Sequence, residues 1–148
     1  MSFQAQANTV MVVDDDPRIC EALDELLAVY GYDVIVAQDQ FAALRLISQR
    51  MPSAVLLDDL MPGLQAQDFV ARVRAQNALC EIILMCSGSQ CAAKAKAIGV
   101  KHYVLKPIDF DELLDLMRLY TNVTASGTLI APAVKVPESN PENKAINR

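Results

Sequence analysis

Residues Val10–Pro17 read VMVVDDDP, an unbroken apolar run that ends on three aspartates and a proline. A short run of branched side chains with no polar alternation is how a strand covered on both faces reads. Pro17 suits the first position of a helix, where a missing N–H costs nothing, and Asp16 before it is a natural N-cap. A buried strand running into a capped helix is the opening unit of a parallel α/β sheet.

Outward from this stretch the unit repeats. Strands are expected at Thr9–Val13, Asp33–Ala37, Ala54–Leu57, Glu81–Cys86 and His102–Leu105. Between them apolar residues fall at three- and four-residue spacing, as in Ile19, Leu23, Leu26, Leu27 and Tyr30, and again in Leu113, Leu114, Met117 and Tyr120. Asp39 and Asp109 can cap the second and fifth helices, while Gly31 and Gly99 stand where the first and fourth should end. Five such repeats imply right-handed crossovers and a doubly wound five-stranded parallel sheet with helices on both faces. The pattern ends near Asn122. The remainder, VTASGTLIAPAVKVPESNPENKAINR, holds three of the seven prolines and shows no period, so it reads as a flexible tail or linker over 123–148. The expected organisation is an N-terminal extension at 1–7, one domain at 8–122, and the tail.

Composition narrows the function classes. At 148 residues the chain has room for one ordinary domain, and 53% hydrophobic against 21% charged residues excludes wholesale disorder. The net charge is −5, with −6 in residues 1–122 and +1 in 123–148, which argues against direct nucleic-acid binding. No apolar run reaches 18 residues and MSFQAQANTV lacks the features of a secretory signal, so a cytoplasmic protein with no membrane segment is expected. Cys20, Cys80, Cys86 and Cys91 form no C-x-x-C pair and read as free, buried thiols.

In an open parallel sheet, ligands bind beyond the carboxyl ends of the strands. Here the first strand runs into Asp14, Asp15 and Asp16, the third into Asp58 and Asp59, the fourth into Ser87 and the fifth into Lys106. Clustered carboxylates repel one another and offer the hard oxygen ligands that Mg²⁺ uses, and Mg²⁺ fills its remaining positions with water and phosphate oxygens. Lys106 adds a cation and Ser87 a donor, as a phosphoryl group with charge on three oxygens requires. Pro107 restricts the backbone of the lysine before it. Taken singly, Asp16 is an N-cap, Asp59 a solvated loop charge and Lys106 a surface residue. Together the groups fall on one sheet edge.

These residues resemble the receiver domain of bacterial two-component response regulators over roughly residues 8–121. VVDDDP (Val12–Pro17), LLDDLMPG (Leu56–Gly63), Ser87-Gly88 and LKP (Leu105–Pro107) are similar to its four signatures, in order, with 43 residues from Asp15 to Asp58 and 29 from Asp58 to Ser87. The resemblance implies strand order 2-1-3-4-5. It makes Asp58 the phosphoacceptor, because Pro62 follows four residues later, with Asp59 the runner-up. It makes Asp14 and Asp15 the acidic pair that holds Mg²⁺, with Asp58 and the backbone carbonyl of Leu60. Ser87 and Lys106 resemble the groups that grip the phosphoryl oxygens, and Tyr103 the aromatic switch residue, although an aromatic in a strand is ordinarily packing.

The implied function is a signalling switch that catalyses only its own phosphorylation and dephosphorylation. A histidine kinase or histidine phosphotransfer protein supplies the phosphate, and partner binding changes on the face of the fourth helix, fifth strand and fifth helix, where a homodimer could also form. The downstream effector is not legible. Departures are the short Ser87–Lys106 segment of 19 residues, Leu64-Gln65-Ala66 in place of the usual M-D-G, and Asp59 in place of an apolar residue. His102 reads as a surface histidine. Two competing readings are a receiver-like scaffold acting by contact alone and a haloacid-dehalogenase-like phosphohydrolase using Asp14 and Asp16 as its D-x-D pair, which residue 17 being Pro disfavours.

Overall fold

Helices and strands alternate without interruption in a computed structural model that describes residues 6–61 and 63–121. The order is β1 (Gln6–Val13), α1 (Pro17–Val29), β2 (Asp33–Ala37), α2 (Gln40–Arg50), β3 (Pro52–Asp58), α3 (Ala66–Gln76), β4 (Glu81–Cys86), α4 (Cys91–Ile98), β5 (His102–Leu105) and α5 (Phe110–Arg118). All strand pairs are parallel and the sheet order is β2-β1-β3-β4-β5. The expected fold class is the one observed.

The period-2 alternation of each strand divides the core into two layers. Met11, Val13, Val55, Leu57, Ile82 and Leu84 face α2, α3 and α4, where Ala43, Ile47, Phe69, Val73 and Ala95 are buried. Val10, Val12, Leu56, Ile83, Met85 and Val104 face α1 and α5, through Leu23, Leu27, Leu113 and Met117. Every residue of β3 is buried, because it lies between two strands and under helices on both sides. At roughly 1.5–3 kcal/mol for each large apolar side chain buried, these two layers supply the main driving force for folding.

Three of the expected strands match to the residue. β1 begins at Gln6 and β3 at Pro52, earlier than the apolar runs. The extra starting residues are Gln6, Ala7 and Asn8 in β1 and Pro52 and Ser53 in β3, and β3 also runs on to Asp58. Asn77 Nδ2 donates to the Pro52 carbonyl at 2.9 Å, Ser53 Oγ donates to the Thr9 carbonyl at 3.1 Å, and a proline is tolerated as the first residue of a strand. The boundary residues 1–5 and the expected tail at 123–148 lie outside the described residues, as does Pro62.

The helix signals hold. Asp16 accepts from Arg18 N, Asp39 from Ala42 N, and Asp109 from both Asp111 N and Glu112 N. Gly99 ends α4 in the left-handed conformation at φ 78°. Gln65, at the N-cap of α3 within the departing Leu64-Gln65-Ala66, makes no side-chain cap. The short Ser87–Lys106 segment gives α4 only 8 residues, the shortest of the five helices.

Two sequence expectations are corrected. Cys20 and Cys80 are free and buried as expected, but Cys86 and Cys91 are joined as a disulfide, with Cα atoms 5.9 Å apart. The tight turn from β4 into α4 returns the chain on itself, a closeness that the five-residue separation does not signal. His102 is half-buried, with Nε2 against the Tyr120 hydroxyl and its ring tilted over the tyrosine at a centroid distance of 5.4 Å. Tyr120, just past the end of α5, thus meets the first residue of β5.

Candidate functional site

The chain leaves β1 for β2 on one side and returns to β3 on the other, so the crevice beyond the ends of β1 and β3 is the topological switch point of the sheet. Asp14 follows β1 directly and Asp58 is the last residue of β3. Carboxylate oxygens of Asp14, Asp15 and Asp58 all lie within 4.8 Å of one another, with Asp14 and Asp58 buried and Asp15 exposed.

Backbone bonds fix this arrangement. Asp14 N donates to the Ala37 carbonyl at 3.2 Å, and Asp14 Oδ1 accepts from Asp16 N at 2.9 Å. Lys106 N donates to the Cys86 carbonyl at 2.9 Å, which aims its side chain back across the sheet edge. Its Nζ donates to Asp58 Oδ1 at 2.8 Å and to Asp14 Oδ2 at 3.0 Å. The Lys106-Pro107 bond that follows is cis.

The electrostatics are those of charges removed from water. Burial pushes the Asp58 carboxyl above its ordinary value, opposed by the Lys106 hydrogen bond and reinforced by the charges of Asp14 and Asp59. Burial alone would lower Lys106, but its hydrogen bonds to Asp58 and Asp14 outweigh it and hold the ammonium above its ordinary value. One ammonium among three carboxylates leaves a formal excess of two negative charges. A compact all-oxygen donor set of this sign and size fits a small hard divalent cation such as Mg²⁺.

Direct contact thus unites Asp14, Asp58 and Lys106, with Asp15 at the rim. Ser87 is exposed on the loop after β4, and Leu60 is 71% exposed on the loop after β3. Tyr103 lies half-buried on β5, packed against the layer of α2, α3 and α4. Asp16 is an N-cap, also held by the Arg18 guanidinium, and stands outside the carboxylate cluster, against the D-x-D phosphohydrolase reading.

Asp59 is not the solvated loop charge expected from sequence. Its side chain is only 5% exposed, and Oδ2 accepts from Lys94 Nζ on α4 at 2.7 Å. The pairing depends on where α4 is set down on the sheet, which the order of residues does not signal. Cys86 and Cys91 are the other pair that sequence reasoning missed.

The chain is similar to known proteins along most of its length. The response regulator receiver domain family matches residues 10–118. The response regulator MprA of Mycobacterium sp. (strain KMS) is 30% identical over 139 residues, covering 93% of this chain and 56% of its own length. The transcriptional regulatory protein DltR of Streptococcus agalactiae is 35% identical over 114 residues, 76% of this chain and 51% of that protein. The chain therefore spans about half the length of these curated relatives. Among solved structures, the chemotaxis protein CheY4 of Vibrio cholerae aligns with a TM-score of 0.68 at 25% identity, over 76% of this chain and 97% of that one. A response regulator receiver protein from Pseudomonas putida aligns at 0.65 and 30% identity, with the same coverage. By its sheet order, its strand-end carboxylates and this match along most of its length, the chain belongs to the receiver domain family of two-component response regulators.

Proposed function

We propose that this domain, residues 8–122, accepts a phosphoryl group on Asp58 from a histidine kinase or histidine phosphotransfer protein in the cytoplasm. The observation that carries the proposal is the contact of Lys106 Nζ with both Asp58 and Asp14 beside the exposed Asp15. Asp58 presents a carboxylate oxygen as nucleophile at the open end of the crevice. It attacks phosphorus in line and displaces the donor's imidazole, and Lys106, already at hydrogen-bond distance, takes up the charge developing on the phosphoryl oxygens.

Receiver domains bind Mg²⁺ through acidic residues, and here Asp14, Asp15 and Asp58, with the backbone carbonyl of Leu60, would hold it. When bound, the ion offsets the carboxylate repulsion and draws charge from the phosphoryl oxygens. Ser87 donates to the new phosphoryl group, and Tyr103 turns into the space this leaves, which alters the α4-β5-α5 face where an effector or a second copy docks. The chain's own chemistry is limited to gaining and losing this group. It makes no direct contact with nucleic acid or membrane, and residues 123–148 act as tail or linker.

Incubation with phosphoramidate and Mg²⁺, read by intact mass, tests the proposal. The expected result is one phosphoryl increment, retained in Asp59→Asn and absent in Asp58→Asn. No increment under any condition would favour a scaffold acting by contact alone, and an increment mapped to Asp59 would overturn the acceptor assignment.

A further inference from the structure

Cys86 is the last residue of β4 and Cys91 the first of α4, both buried, with Cα atoms 5.9 Å apart. That separation lies within the usual range for a disulfide. Between them lie only Ser87, Gly88, Ser89 and Gln90, all exposed. Gly88 sits at φ +90° with nothing within 4 Å of where a Cβ would be, so this loop has room to rearrange when it is not tied down. The bond therefore encloses the loop whose hydroxyl the phosphorylated state needs.

Its two ends also reach the rest of the site. The Cys86 carbonyl accepts from Lys106 N, and α4 carries Lys94, the partner of Asp59. We propose that Cys86 and Cys91 are a reversible thiol-oxidation site for low-molecular-weight disulfides, which locks the Ser87 loop when oxidised and lowers the site's capacity to hold a phosphoryl group. The inference rests on the phosphoacceptor reading above. A bridged loop holds the end of β4 at a fixed distance from the first turn of α4, so Ser87 cannot swing toward Asp58. Opened, the two thiols pack as small apolar groups and the loop is free. In a reducing compartment a disulfide of this kind is transient and regulatory rather than structural.

The chemistry balances. As the exposed loop opens, one cysteine thiolate attacks a sulfur of the small disulfide, forming a mixed disulfide and expelling one small thiolate. The second cysteine thiolate attacks the protein sulfur of that mixed disulfide, closing the Cys86–Cys91 bond and expelling the other. Two protein thiols lose two electrons and two protons, and the small disulfide gains both and leaves as two thiols. Cys20 and Cys80 form no bridge with each other, since they are buried in opposite core layers.

The test uses the full chain, treated with oxidised glutathione or with dithiothreitol. Thiols are counted by alkylation after unfolding, and each form is then incubated with phosphoramidate and Mg²⁺. The expected result is four alkylated thiols in the reduced form and two in the oxidised form. Acyl-phosphate occupancy should be about fivefold or more lower in the oxidised form, the low end of ordinary coupling between sites. Cys91→Ser and Cys91→Ala should phosphorylate like the reduced chain and ignore the oxidant. The inference is overturned if no bridge forms, if bridged and open chains are phosphorylated alike, or if the Cys91 variants still respond. No phosphoryl adduct in either redox form, with the bridge forming normally, would instead overturn the acceptor reading and this inference with it.

Discussion

Lys94 on α4 stands 2.7 Å from Asp59, the residue that follows the proposed phosphoacceptor, and the Asp59 side chain is only 5% exposed. The lysine is the more exposed partner at 41%, so the cost of breaking the pair is uneven. Removing the ammonium leaves a covered carboxylate without a counter-charge, whereas removing both charges leaves an apolar gap that packs. Lys94→Met is expected to destabilise the chain by about 1–3 kcal/mol, and Lys94→Met with Asp59→Leu to recover most of the loss. Urea unfolding of the two single variants and the double variant checks this. Additive single losses would mean that the ion pair carries no coupling.

Lys106 is asked to do more, since it is the cation that both Asp14 and Asp58 touch. Without divalent ions, Lys106→Ala should cost about 2–3 kcal/mol, less than the full penalty for an unpaired buried charge because Asp58 can take up a proton. Mg²⁺ should raise the urea midpoint of Lys106→Ala more than that of the parent chain, by occupying the position of the lost charge. Phosphorylation by phosphoramidate should fall by about 10²–10³-fold, the usual loss for one preorganised donor. Unchanged stability in Lys106→Ala would contradict the charge balance argued for the site.

Alkaline pH should weaken the fold. An ordinary thiol titrates near 9.0, whereas burial holds Cys20 protonated to about 11 and Cys80 to about 12. The unfolded chain therefore releases these protons first. Stability is fully present below pH 9 and declines as pH rises toward 11 and 12, at about 1.4 kcal/mol per unit for each thiol. Tyr120, raised to about 12 by burial and the Glu81 charge, acts in the same direction. Urea midpoints of the reduced chain at pH 7, 9 and 10.5 measure the slope, and a midpoint constant across that range would refute the assignment.

The Asp109 cap lies outside the carboxylate cluster. Its carboxylate accepts from Asp111 N at 3.0 Å and Glu112 N at 3.3 Å, satisfying two backbone donors that α5 itself cannot. Asp109→Ala should cost about 1 kcal/mol and lower Tm by about 4 °C. Thermal unfolding by circular dichroism reads it directly. Gln65→Asp, which supplies a cap to the uncapped α3, should raise Tm by a similar amount.

The layered sheet was legible from residue order because buried strands and capped helices each leave a local pattern. β2, β4 and β5 lie where their apolar runs do, and Asp16, Asp39 and Asp109 cap the helices they precede. The positions of Asp14, Asp58 and Lys106 were also legible, since each directly follows or ends a strand. Lys94 with Asp59, Cys86 with Cys91 and His102 with Tyr120 were not. Each pair depends on how a turn or a helix end is set down on the sheet, which side-chain periodicity does not encode. The start of β3 was hidden for a related reason: Asn77, remote in sequence, donates to the Pro52 carbonyl there.

The sheet order gives the site an uneven mechanical setting. β1 and β3, which position Asp14 and Asp58, are flanked by strands on both sides, and β3 is buried throughout. β5 is a four-residue edge strand in which only Val104 is fully buried. Deforming the first pair means disturbing both core layers, while deforming the last costs a few contacts at one margin. The stiff half of the molecule thus holds Asp14 and Asp58, and the compliant half carries β5 at its edge. Substitutions along β5 and α4 can then accumulate without moving Asp58.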